Sequence, residues 1–246
     1  MKKAMKWVLA LLGILLGIYA LIFGFGFWAA YETGKRLDIG RGVSTNPHLV
    51  RLEIGDKVFA IPQNHIWSRE DWNGGKVEGV NLQALLPDFE PYTEANRQEF
   101  DKPGWNRKMS FLLTEHNITG SLTTSTSMTR REVYERNLYD YSAQRKIEAQ
   151  AYPGPYGLTV QQRPPKNSDF ELYVGQKRKG EFYWVECYPD QQGKFPSCHT
   201  YVEYSKQVTI RYTFAKSRLS DWQAIDDGVL NLIHQFETNA NQGSQK

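Results

Sequence analysis

Cys187 and Cys198 are the two cysteines of the chain, and their surroundings decide between reactive thiols and a bridge. They sit in Glu181 to Tyr188 and Ser197 to Tyr204, runs dense in Tyr, Val, Phe and Thr, which is the composition of strands. Pairing the runs with the cysteines opposite sets Val185 against Thr200, Tyr183 against Val202 and Glu181 against Tyr204, so that like faces meet. Directly opposed cysteines are close enough for a disulfide, and closing a loop of about 12 residues stabilises by roughly 3 kcal/mol. A bridge implies an oxidising compartment and removes the thiolate that His199 would otherwise activate. Adjacent strand residues also point to opposite faces, which separates His199 from Cys198.

The remaining residues that catalysis uses are scattered. His48, His65, His116, His199 and His234 form no HExxH pair, and there is no GxSxG elbow, Walker A loop or strand-led GxGxxG. Glu70-Asp71 and Asp226-Asp227 are adjacent acids, whose side chains ordinarily diverge and so make a poor metal pair. His234 is expected as a solvated neighbour of Asp227 on the polar side of the last helix. No catalytic, metal or cofactor residue is assigned, and the chain reads as a non-enzyme.

Aromatic side chains are the alternative resource. Phe182, Tyr183, Trp184, Tyr212 and Trp222 lie in patterned segments and are expected in the core. Trp67, Trp72, Tyr92, Trp105, Tyr152 and Tyr156 stand in polar loop contexts, the setting of a protein-binding or sugar-stacking surface. The basic run Gly175 to Gly180 (GQKRKG) reads as a solvated hairpin tip.

These residues need a scaffold, and the first element is apolar. No residue from Trp7 to Tyr31 carries a formal charge. As a helix the stretch reaches about 37 Å, against roughly 30 Å of hydrocarbon. Trp7 and the pair Trp28 and Tyr31 fit the interfacial belts. A cleaved signal peptide would need a small residue two before Ala30, where Trp28 stands, so an uncleaved anchor is preferred. Basic residues on the two sides nearly balance. The short amino tail and the oxidised cysteine pair then favour a cytoplasmic amino terminus, with residues 32–246 outside the cytoplasm. Ala10, Gly13, Gly17, Ala20 and Gly24 share one helical face, with Gly13 and Gly17 forming a GxxxG, which raises homodimerisation through the span. The expected organisation is a cytoplasmic tail over 1–6, a transmembrane anchor over 7–31, a linker over 32–48, an exported α+β domain over 49–237 and a flexible tail over 238–246.

The net charge is +3, and setting aside Lys2, Lys3 and Lys6 leaves equal numbers of basic and acidic residues. A neutral domain is a poor partner for nucleic acid. Its first elements read as a hairpin: Leu49 to Ile54 alternates, Gly55-Asp56 turns, and the chain returns to Pro62. Strands follow at Val77 to Leu86 and Met109 to Leu113. Thr129 and Glu132 have capping-box spacing, with a Met128–Val133 staple, and predict a helix to about Tyr141. Tyr152 to Gly157 interrupts regular structure. Four more strands, 170–174, 181–188, 197–204 and 207–214, lead to a final helix. There Ser220 and Gln223 form a second capping box, and Trp222, Ile225, Val229, Leu232, Ile233 and Phe236 follow helical spacing. Gly228 costs that helix about 1 kcal/mol relative to Ala. An antiparallel sheet with helices on one face is an α+β domain.

Val58 to Ile66 (VFAIPQNHI), Leu82 to Asp88 (LQALLPD), Pro153 to Leu158 (PGPYGL), the Cys187–Cys198 hairpin and Leu219 to Ile225 (LSDWQAI) together resemble a family of small, single-pass, periplasm-facing membrane proteins of Gram-negative bacteria. The resemblance covers most of 49–237 and carries no catalytic residues. It implies a role beside toxin or secretion loci, such as immunity to a toxin delivered into the periplasm, with a protein partner. Two alternatives are a structural subunit of an envelope or secretion assembly and a periplasmic hydrolase or glycan-binding domain.

Overall fold

The computed structural model describes residues 42–115, 128–140, 144–162, 170–189 and 195–243, with Gly13, Gly17, Tyr19, Phe23, Gly24 and Gly26 of the amino-terminal segment. Those six positions are helical and exposed, and a Cβ added at Gly13 or Gly17 would meet nothing within 4 Å. Most of the expected anchor and the first part of the linker lie outside the described residues, as do His116 and the carboxyl-terminal three residues. Among the described residues, no helix is long and apolar enough to cross a membrane. Residues 1–41 and 42–246 are separate compact units.

The second unit begins at Gly42, earlier than the expected start at Leu49. Gly42 is buried, its N–H donates to the Trp67 carbonyl at 2.7 Å, and a side chain there would collide with Arg69 and Trp72. The hairpin β1 (Leu49–Ile54) and β2 (Lys57–Pro62) then forms in the register that alternation dictates, Leu49 opposite Pro62 and Ile54 opposite Lys57. Gly55 turns between them at φ 56°, where a side chain would be strained. β3 (Gly75–Lys76) adds in parallel to β1 and completes a small sheet.

β4 (Gly79–Leu85) opens the large sheet. A short helix α1 (Arg97–Asp101) precedes β5 (Lys108–Thr114), and α2 (Arg130–Asn137) follows. The predicted capping box forms: Thr129 Oγ1 accepts from the Glu132 N–H, while the Glu132 carboxylate accepts from the Thr129 N–H at 2.7 Å. α2 stops short of Tyr141, because the chain turns into the two-residue strands β6 (Tyr139–Asp140) and β7 (Arg145–Lys146). β8 (Gln150–Pro153) and β9 (Thr159–Gln162) make a hairpin around 154–158, where the sequence indicated only a break. β10 (Glu171–Gln176), β11 (Phe182–Cys187), β12 (Ser197–Glu203) and β13 (Thr209–Ala215) complete eight antiparallel strands in the order β4-β5-β13-β12-β11-β10-β9-β8.

The last helix, α3 (Trp222–Gly243), starts directly from a 3-10 turn over Lys216–Asp221. That turn takes the place of the predicted Ser220–Gln223 box, and the Ser220 hydroxyl instead donates to the Asp221 carboxylate at 3.2 Å. α3 also outruns its expected end. Ala240 is buried and its carbonyl accepts from Arg51 Nη1 of β1 at 2.9 Å, so 238–243 is helix rather than loose tail. Its apolar face, Trp222, Ile225, Val229, Ile233 and Phe236, joins both sheets in one core cluster. At the glycine of this face, a Cβ on Gly228 would come within 2.1 Å of the Phe89 ring. The helical cost of Gly228 is what admits that ring.

The helices do not share one face. Tyr183 and Val185 of β11 point to the core with α3, whereas Trp184 points the other way, into a second cluster with Val133 of α2 and Leu172 of β10. The large sheet is therefore covered on both sides, a correction to the one-sided arrangement expected.

Candidate functional site

Cys187 and Cys198 are bonded and lie opposite each other, as predicted. The rest of the expected register is only partly kept. β11 and β12 pair at Cys187–Cys198 and Glu186–His199, and the Thr200 hydroxyl then donates to the Trp184 carbonyl. Beyond that point Arg130 occupies the split. Its Nε donates to the Tyr201 carbonyl at 2.7 Å, and its own carbonyl accepts from Trp184 Nε1 at 2.8 Å. A buried arginine from α2 thus takes the Tyr201 carbonyl of β12 just past the end of the β11–β12 pairing.

The guanidinium reaches Asp226 of α3, which is fully buried. Arg130 Nη1 donates to Oδ2 at 3.1 Å and Nη2 to Oδ1, a bidentate pair. Lys177 Nζ donates to Oδ2 at 2.8 Å and the Tyr212 hydroxyl to Oδ1 at 2.6 Å. Burial alone would raise the Asp226 pKa, but Arg130, Lys177 and Tyr212 hold the carboxyl below its ordinary value. Burial would lower the Arg130 and Lys177 pKa values, but Tyr212 and Asp226 raise that of Arg130, and Asp226 and Asp227 raise that of Lys177. Both carboxylate oxygens are filled, so the hub has no open position for a ligand.

This hub corrects three readings. Lys177 belongs to no solvated tip, since it is buried and also pairs with Asp227 and with Glu181, the latter at 3.3 Å. Asp226 and Asp227, expected to diverge, converge on that lysine. His234 consequently has no Asp227 beside it and lies exposed, 3.9 Å from Glu237.

The six loop aromatics part company. Tyr92 is buried against Phe100, their ring centroids 5.3 Å apart, and is core rather than interface. Trp72 packs half-buried on the main core, its Nε1 donating to the Ile66 carbonyl at 3.4 Å. Trp67 is half-buried and backbone-paired with Gly42 and Asn81. Tyr152 is 44% exposed on β8, its hydroxyl on Gln150. Trp105 and Tyr156 meet across an open cleft of about 660 Å³ that also takes in Glu171, Tyr173, Phe195 and Lys216.

Each wall of the cleft has a local cause. Gly104, at φ 83°, leaves room for the Phe195 ring, which would lie 2.3 Å from a Cβ there. Tyr156 sits between Pro155 and Gly157 in the left-handed region at φ 59°, and its carbonyl accepts from the buried Trp222 indole at 3.2 Å. Its ring is nonetheless 58% exposed. A non-glycine residue in that conformation costs on the order of 1–3 kcal/mol and persists only where its surroundings hold it there. On the floor, Glu171 Oε2 accepts from the Tyr173 hydroxyl at 2.6 Å and forms an ion pair with Lys216 Nζ at 2.8 Å. Sequence reasoning had passed over Phe195, Glu171, Tyr173 and Lys216.

His199 Nε2 lies 3.3 Å from Glu186 Oε2, a His–acid pair. Both are largely buried on the face away from the disulfide, and neither lines the cleft. Among the described residues, no group of three His, Cys, Asp or Glu is placed to hold a metal ion.

A domain of mostly antiparallel sheet with a long carboxyl-terminal helix is thus defined, bearing an aromatic cleft. No protein-family model and no curated protein matches the sequence. Among solved structures the chain is similar to an immunity protein of the Stenotrophomonas maltophilia type IV secretion system. The TM-score is 0.56 at 14% identity, over 77% of this chain and 93% of that one. What the two share at that identity is the fold.

Proposed function

We propose that the chain is an anchored binding module of the Gram-negative envelope that neutralises a toxin delivered to the periplasm. In this reading the stretch 7–31 spans the inner membrane, the amino terminus is cytoplasmic, and the domain from Gly42 onward acts by covering a working surface of the toxin. The observation that carries it is the cleft, where the exposed ring of Tyr156 is held in a left-handed backbone beside Trp105 and Phe195. Backbone strain retained at an exposed aromatic supports a contact role for it, and Trp and Tyr are enriched among the few residues that carry most binding energy at protein interfaces. The fold held in common with a secretion-system immunity protein supports the same reading, as does the disulfide, which suits an oxidising compartment.

The test is protection. A candidate toxin from a neighbouring gene, exported to the periplasm, should arrest growth, and co-expression of the full chain should restore it. The double variant Trp105→Ala, Tyr156→Ala should fold yet fail to protect. An alkaline phosphatase fused to the carboxyl terminus should be active, since that reporter needs an oxidising location. Failure of the wild-type chain to protect against any such toxin would discard the proposal.

A further inference from the structure

We infer that the cleft receives an arginine side chain of the bound protein on the open oxygen of Glu171; this deepens the reading above and rests on it. Tyr173 and Lys216 both meet Oε2, and among the described residues Oε1 has no hydrogen-bond partner. The Lys216 side chain is 12% exposed and that of Glu171 37%, so the cation lies behind and the carboxylate in front. No other charged side chain lines the cleft among the described residues. A ligand entering between Trp105, Tyr156 and Phe195 therefore meets one available carboxylate oxygen ringed by aromatic faces.

That combination suits a guanidinium, which stacks flat on aromatic rings while donating in-plane N–H groups to a carboxylate. A lysine ammonium lacks the planar surface, and an anion would meet Glu171 before it met Lys216. The Asp226 hub shows the completed form within the same fold. There too a carboxylate takes a tyrosine hydroxyl at 2.6 Å and a lysine at 2.8 Å, and Arg130 fills the remaining valences. At Glu171 the lysine and tyrosine are present, and the partner supplies the arginine.

The experiment is saturation-transfer NMR on the full chain in detergent, using acetyl-Gly-Arg-Gly-amide at millimolar concentration as the probe. Its citrulline counterpart keeps the shape without the charge, and a glutamate counterpart reverses the charge. Transfer should reach the arginine side-chain protons. The citrulline peptide should bind about tenfold more weakly, the scale of a charge-assisted hydrogen bond. Glu171→Gln should weaken the arginine peptide by a similar factor, and Tyr156→Ala, which removes an exposed ring, should weaken it independently. Absence of transfer, equal binding of the citrulline or glutamate peptide, or undiminished binding to Glu171→Gln would each overturn the inference. Should the peptide fail while Trp105→Ala, Tyr156→Ala still abolishes protection, the cleft remains the interface and only the arginine is wrong. Should both fail, the proposed function falls as well.

Discussion

Asp226 and Glu171 begin with the same two partners and end in opposite roles. Each accepts a tyrosine hydroxyl and a lysine at closely similar distances. Asp226 is fully buried and takes a third partner, Arg130, from another layer, so every oxygen is spoken for. Glu171 is partly exposed at the floor of a cleft and, among the described residues, keeps one oxygen open. A charged group becomes part of the frame when burial and hydrogen bonding are both complete, and becomes available when they stop one partner short.

The largest expected effect comes from breaking the frame. Asp226→Ala leaves Arg130 and Lys177 buried without their shared counter-ion, and loss of one partner of a buried pair costs about 3–5 kcal/mol. Urea denaturation followed by tryptophan fluorescence should show it, and a loss below about 1 kcal/mol would mean the hub is solvated in solution.

Acid should act on buried groups in two windows. Burial lowers the His65 pKa from 6.5 to about 4, partly offset by its hydrogen bond to the Gln83 carbonyl at 3.0 Å. The unfolded chain thus binds a proton there before the folded one does. This contribution is present above pH 6.5 and is lost as pH falls towards 4, on the order of 3 kcal/mol in all. His65→Gln should flatten that slope. The Asp226 pKa is held below its unfolded value, so the hub stabilises above the ordinary carboxylate range and its share is lost only at still lower pH. A wild-type stability flat between pH 6.5 and 4 would contradict the neutral, buried imidazole.

The smallest effect sharpens the contrast from the other side. Glu171→Gln removes a charge from a partly exposed pair, which is worth about 1 kcal/mol or less. The denaturation midpoint should barely move while arginine-peptide binding drops. A loss matching that of Asp226→Ala would make Glu171 part of the frame too.

What the sequence made legible follows from pattern strength. The β1–β2 hairpin was visible because alternation and Gly55-Asp56 agree, and α3 because six apolar residues hold helical spacing. The capping box at Thr129 and the opposition of the cysteines are likewise local signals. β8 was not visible because all four of its residues are exposed and nothing alternates. The last turns of α3 were missed because their tie, Arg51 to the Ala240 carbonyl, spans most of the domain in sequence. Lys177 looked like a solvated turn residue because two of its three acids, Asp226 and Asp227, come from α3, and the cleft was half-seen because Glu171 and Lys216 are separated by three strands. Tyr92 misled for the converse reason, a polar-looking loop that folds its ring inward against Phe100.

The Phe89–Gly228 contact has a consequence for how the final helix finds its place. The ring rests where the helix has no side chain, and the residues on either side, Asp227 and Val229, would both obstruct it. Rotating or sliding the helix by one position would set a side chain against the ring, so the contact favours one seating of the helix. Phe89 and Gly228 work as lug and notch, and a methyl group in the notch should trap the chain with that loop undocked.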